Sequence, residues 1–340
     1  MPLDFLVIGA QKGGTTSLWR YLSPHPRLCM PAMKEAAFFN ESEDLDLLER
    51  HMRVIYADAP SGALLGKVSP NYMIGQPGAG VEIVVGRIAA VFPNVKLIAL
   101  LRDPIERAVS NYVMAVRREQ EARPLDTAFS ELLQPDQLAS SRVSLGPTDS
   151  YIVAGEYGRV LGAYREAFPA EQMLVTFSDD LAGDPGRVIA SVLSFLGLPA
   201  DFRPPDLDLR HFRSGTRRLL DREAERTLFK FFGEEILPKM RGSSHANRVT
   251  FDFFYETWNV APDESPPRVS GEVRAKLETH FEEDARRLED LGVQAPWIAR
   301  WEKARAATEG ALQGRLHAPH SACPSGPAKR CLPLCHRQDD

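Results

Sequence analysis

The passage that most constrains this chain is Asp4-Phe5-Leu6-Val7-Ile8-Gly9-Ala10-Gln11-Lys12-Gly13-Gly14-Thr15-Thr16-Ser17-Leu18-Trp19. An apolar run ends in glycines, and two threonines then open a segment with helical apolar spacing. That is the order strand, tight loop, helix. Glycine tolerates the backbone angles that turn several N–H groups inward, and the incoming helix adds the positive end of its dipole. The passage predicts a cradle for a phosphate-like anion. Its helix should run from about Thr15 to Leu22 and stop before Pro24, because the residue ahead of a proline avoids the α region.

A Walker-type phosphate loop needs G-x-x-x-x-G-K-[ST], its lysine reaching the outer phosphates and its hydroxyl holding Mg²⁺. Gly9 and Gly14 keep that glycine spacing, but Thr15 stands at the lysine position and the cation moves inside the loop, to Lys12. A second unit spans residues 95–112. Its apolar run has the continuous character of a parallel strand buried on both faces. Asp103 reads as a helix N-cap, Pro104 as the first helical residue and Glu106 as the capping-box partner. Arg102 then lies at the carboxyl end of a strand, where open α/β sheets bind ligands, and Ser110 sits two turns into the helix. An arginine fork with a hydroxyl suits a terminal phosphate dianion. Two anion sites on one sheet suit a ligand phosphorylated at both ends.

The segment Gly9-Ala10-Gln11-Lys12-Gly13-Gly14-Thr15-Thr16-Ser17-Leu18 resembles the 5′-phosphosulfate loop of sulfotransferases that use 3′-phosphoadenosine-5′-phosphosulfate (PAPS). It is most similar to the bacterial and heparan-sulfate-type branch. The unit around Arg102-Asp103-Pro104 resembles the same family's 3′-phosphate segment. The resemblance implies that Gln11, Lys12, Gly13, Gly14, Thr15, Thr16 and Ser17 surround the 5′ end, and that Arg102 and Ser110 hold the 3′-phosphate. It further implies that Gly215, Thr216, Arg217 and Arg218 close over that phosphate, either arginine making the contact. By position after the loop, Glu35 matches the family's catalytic base and Lys67 a contact to the transferring sulfonate. His25 and His211 adjoin the same segments and are alternative bases. The reaction so implied moves a sulfonate from PAPS to a hydroxyl or amine, releasing adenosine 3′,5′-bisphosphate. Carbohydrates and glycoconjugates are the leading acceptors, with lipids and small molecules also used by relatives. Lys12 takes the place of a metal, and none is expected.

Alternating strands and helices predict an α/β, P-loop-like fold of three layers, with a central, mainly parallel sheet flanked by helices. Residues 1–305 form the expected domain. Within it, 117–150 reads as a long loop or insertion on the acceptor side, and 219–262 as a helical segment. Residues 306–340 read as a disordered tail. Residues 41–61 should hold a surface helix. The net charge of −5 argues against a general affinity for nucleic acid or anionic membrane. No apolar stretch approaches the ~20 residues of a membrane span. The start of the chain has no basic n-region, so no signal peptide is expected. Of four cysteines, three fall in the last twenty residues, which suits a reducing, cytoplasmic setting; Cys331, Cys335 and His336 lack zinc-ligand spacing. A nucleotide-dependent kinase and a catalytically silent nucleotide-binding module are the competing readings. Thr15 and Arg102 both oppose the kinase, since neither a Walker lysine nor a Walker B aspartate is in place.

Overall fold

The computed structural model describes residues 3–31, 38–205, 207, 222–231 and 266–316. The chain divides into two units, residues 1–296 and 297–340. Among the described residues the first is built on five strands: β1 (Phe5–Gly9), β2 (Leu28–Cys29), β3 (Leu64–Val68), β4 (Lys96–Leu101) and β5 (Met173–Phe177). They form one sheet in the order β2-β3-β1-β4-β5, and every strand pair is parallel. The chain leaves β1 to build β2 and β3 on one side, then crosses over to lay β4 and β5 on the other. The connections after β1 and β4 therefore diverge from a single crevice, the place where such sheets take ligands.

Among the described residues its helices are α1 (Thr15–Leu22), α2 (Phe38–Glu41), α3 (Leu45–Ile55), α4 (Glu82–Val91), α5 (Pro104–Arg117), α6 (Leu125–Leu132), α7 (Pro135–Ser144), α8 (Tyr157–Ala167), α9 (Ser178–Gly183), α10 (Pro185–Leu196), α11 (Arg222–Phe231) and α12 (Gly271–Asp290). Side chains alternate between the faces of a strand. On one face Phe5 and Val7 of β1, with Ile98 and Leu100 of β4, pack against Leu18 and Leu22 of α1 and Ile189, Val192 and Leu193 of α10. Short polar side chains start several helices. Asp44 accepts from the Leu47 N–H, Asp184 from Arg187 and Ser270 from Val273, and Gly197 at φ 81° closes α10. Asp284 of α12 reaches across to accept from the Gly158 and Arg159 N–H groups at 2.7 and 2.9 Å, capping α8 from a different element.

Two expectations need correction. Residues 117–150 are not a loop but carry α6 and α7. Leu125, Ala128, Phe129 and Leu132 have helical spacing, and the prolines that broke the pattern, Pro124 and Pro135, stand at helix starts, where a missing N–H costs nothing. Further on, helix α13 (Pro296–Leu316) runs past position 306, where the sequence reading begins its tail; residues 317–340 lie outside the described residues. The surface helix expected within 41–61 is α3, with Leu48 and Met52 buried and Leu45 and Leu47 exposed. Of the 219–262 segment, α11 alone falls among the described residues.

Candidate active site

The loop after β1 is shaped by contacts that only glycines allow. The Ala10 N–H donates to the Leu100 carbonyl at 2.8 Å, and the Gly13 N–H returns to the Ala10 carbonyl at 2.9 Å. A Cβ on Gly13 would run into the Leu100 carbonyl oxygen, so the loop lies directly on β4. Gly14 takes φ 98° and stands at the N-cap of α1 without a side-chain cap. Between these turns Lys12 adopts φ 67°, a left-handed conformation that costs a non-glycine residue about 1 kcal/mol. Thr15 is buried, while Gln11, Lys12, Thr16 and Ser17 are half-buried. The resulting loop is a concave run of backbone with a cation inside it and a helix start behind it, the geometry of an anion cradle.

Arg102 follows β4 directly. Asp103 caps α5 as the sequence suggests, its Oδ1 accepting from the Ile105 and Glu106 N–H groups at 3.0 and 3.3 Å. Glu106 does not complete a capping box. Its carboxylate instead accepts from Arg102 Nε and Nη2 at 3.3 and 3.1 Å, because a charged guanidinium fork one turn away is the stronger partner. The third arm of Arg102, Nη1, donates to the Lys12 carbonyl at 3.4 Å. Two motifs 90 residues apart in sequence thus meet at the divergence of β1 and β4. Ser110 is buried on α5.

Lys67 is not an exposed strand-end lysine. It lies in β3 opposite Leu6 and is 3% exposed, and burial pulls its ammonium down to about 8. His51 of α3 comes within electrostatic reach of it. Burial, and then the Lys67 charge, hold the imidazole below its ordinary value, and Nε2 has no hydrogen-bond partner. The sequence reading passed over His51, whose only signal was its place beside an apolar helical stripe. His25 is engaged elsewhere: Nδ1 accepts from the Arg27 N–H at 3.1 Å and its ring meets Phe202 edge-on at 4.6 Å. Glu35, Gly215, Thr216, Arg217, Arg218 and His211 lie outside the described residues. Among the described residues, no three His, Cys, Asp or Glu side chains gather as a metal site.

A second polar cluster ties α7 to α8 and α12. Glu156, 1% exposed, accepts from Arg142 Nε and Nη2 of α7 and from Arg159 Nε at 2.6 Å, and His280 Nε2 lies 3.2 Å from it. Burial alone would raise its carboxyl, but bonds from His280 and Arg142 and the charge of Arg159 outweigh it and hold the group at about 2.

Residues 2–226 match the family model described as Sulfotransferase domain. Human heparan sulfate glucosamine 3-O-sulfotransferase 3B1 is 29% identical over 193 residues, which cover 57% of this chain and 45% of that protein. The membrane-associated sulfotransferase kil1 of Dictyostelium discoideum is 31% identical over 137 residues, covering 39% of this chain and 28% of that one. This chain spans less than half the length of either curated relative. Among solved structures, a sulfotransferase from Alicyclobacillus acidocaldarius superposes with a TM-score of 0.51 at 27% identity, over 68% of this chain and 92% of that one.

Proposed function

The chain belongs to the sulfotransferase domain family, and from that premise we propose that it transfers a sulfonate from PAPS to a hydroxyl or amine of a carbohydrate or glycoconjugate. The observation that supports this reading is the contact of Arg102 with the Lys12 carbonyl, which brings the loop after β1 against the start of α5. A nucleotide with phosphates at its 5′ and 3′ ends needs such a pair, whereas ATP would leave the second site unused.

When bound, PAPS supplies the activated sulfonate and accepts the electron pair of the broken sulfur–oxygen bond on its 5′-phosphate. The residues of the chain do the rest. Lys12, Thr15, Thr16 and the loop N–H groups neutralise charge growing on the 5′-phosphate. Arg102 and Ser110, with Arg217 or Arg218, fix the 3′ end and so the attack geometry. Lys67, cationic at neutral pH, contacts the sulfonate. Glu35 accepts the acceptor's proton as the new bond to sulfur forms. The family's acceptors enter by analogy with the heparan sulfate enzymes named above, and α6 and α7 are the segments proposed to select among them. A cytoplasmic setting belongs to the same proposal and is supported by the small number of cysteines.

The test is transfer of labelled sulfonate from PAPS to a panel of oligosaccharide, lipid and small phenolic acceptors, with wild type and Glu35→Gln. Transfer to a saccharide that E35Q loses, at unchanged nucleotide affinity, is the expected result. Nucleotide binding without transfer to any acceptor class would instead favour a silent module.

A further inference from the structure

One charged side chain near the crevice has no place in the chemistry so far. Arg107 of α5 is fully buried. Its Nη2 donates to the Tyr151 carbonyl, while Nε and Nη1 have no hydrogen-bond partner among the described residues. Among the described residues no carboxylate forms an ion pair with it. A buried guanidinium in that state is expensive, because desolvation removes far more than one carbonyl returns; burial accordingly pulls Arg107 down to about 10. Replacement by an apolar residue of equal volume is often neutral or stabilising at such a position. The charge therefore calls for a function that offsets its cost.

Its place on α5 supplies one. Residues 103, 107 and 110 are four and three positions apart, so they form one stripe of the helix, with Arg107 between the capping Asp103 and Ser110. Tyr157 is also fully buried, lies against the Arg102 backbone and feels the charges of both Arg107 and Arg102. Arg107 thus lies within electrostatic reach of Arg102 and Tyr157, fully shut off from solvent, on the same helix stripe as Ser110. Low-dielectric surroundings carry its field to that pair with little screening by salt.

We infer that Arg107 is a submerged cation of the terminal-phosphate pocket: it strengthens binding of a dianion at Arg102 and Ser110 through its field, without touching the ligand. The inference rests on the proposed reading of that pocket as the 3′-phosphate site. Arg107 is on this account a positioning charge and not a catalytic residue. A phosphate bound one turn along the helix supplies the counter-charge that the folded protein itself withholds.

The measurement is the ratio of affinities for adenosine 3′,5′-bisphosphate and adenosine 5′-monophosphate, taken by calorimetry on the full chain. The two ligands differ only in the phosphate that Arg107 should sense. Wild type should prefer the bisphosphate, and in Arg107→Met that preference should fall about tenfold to thirtyfold while monophosphate affinity stays within about twofold, the scale of a unit charge acting across one helical turn. Arg107→Lys, which keeps the charge, should keep most of the preference. Arg107→Gln carries the comparison should the methionine variant fail to fold. Two results would overturn the inference: an unchanged ratio in R107M, or an equal loss in R107K, which would mean shape and not charge. A wild type with no preference at all would instead overturn the reading of the pocket on which it rests.

Discussion

Lys67→Met should make the protein more stable and less active. A lysine held at about 8 rather than 10.5 carries about 3 kcal/mol against its charged form, at roughly 1.4 kcal/mol per pH unit. The direction follows from proton counts. The folded state releases its proton first, so between pH about 8 and 10.5 the unfolded chain binds more protons and wild-type stability rises with pH. Below that window the full cost is present; above it the cost is gone. Methionine has similar reach and no charge, so K67M should gain up to about 3 kcal/mol at pH 7, or about 3–10 °C in Tm for a domain of this size. The gain should fade as pH climbs toward 10.5. Thermal unfolding of both proteins across pH 6–11 tests this, while sulfonate transfer by K67M should drop at least ~100-fold, the scale expected for removing a charged donor from a transition state. A destabilised K67M, or a gain that does not change with pH, would refute the reasoning, because it would mean the ammonium is already compensated in the folded state.

Three further outcomes follow from the geometry. Glu156 contributes stability that is fully present above its ordinary carboxylate range and is lost as pH falls toward about 2; E156Q should cost about 3–5 kcal/mol at neutral pH by stranding Arg142 and Arg159, and should flatten the acid limb of an unfolding profile. Gly13→Ala forces a methyl against the Leu100 carbonyl and should lose about 2 kcal/mol or more in unfolding free energy, together with most bisphosphate binding by calorimetry. Glu106→Gln removes the anion that holds Arg102 at 3.1 Å, so bisphosphate should bind about threefold tighter, with a steeper dependence on salt; weaker binding would identify Glu106 as a clamp that orients the arginine.

What could be read in the sequence was local. The cradle, its helix and the capped start of α5 each lie within twenty consecutive residues, and their chemistry comes from glycine freedom, proline placement and one aspartate. The parallel sheet followed from alternation of element types. Other features depended on partners far along the chain. Glu106 fits a capping box by spacing, and only the guanidinium in front of it explains why it turns away. Arg107 sits among the apolar residues of an amphipathic helix, and nothing nearby in sequence announces that it donates to the Tyr151 carbonyl. Lys67 could equally have been a solvated strand end until β1 was laid beside it. Besides α6 and α7, the elements that escaped include β2, too short to show a period, and α4, whose apolar residues Val84, Val85 and Ile88 sit behind a glycine-rich turn.

The central claim is that one crevice binds a nucleotide by both of its ends, and titration of the wild-type protein with adenosine 3′,5′-bisphosphate, alongside ATP with magnesium, tests it most directly. The account predicts heat and saturation with the bisphosphate, and at least tenfold weaker binding of the triphosphate, which forgoes the charge-assisted contacts at Arg102 and Ser110. Tight magnesium-dependent uptake of ATP with no response to the bisphosphate would contradict it.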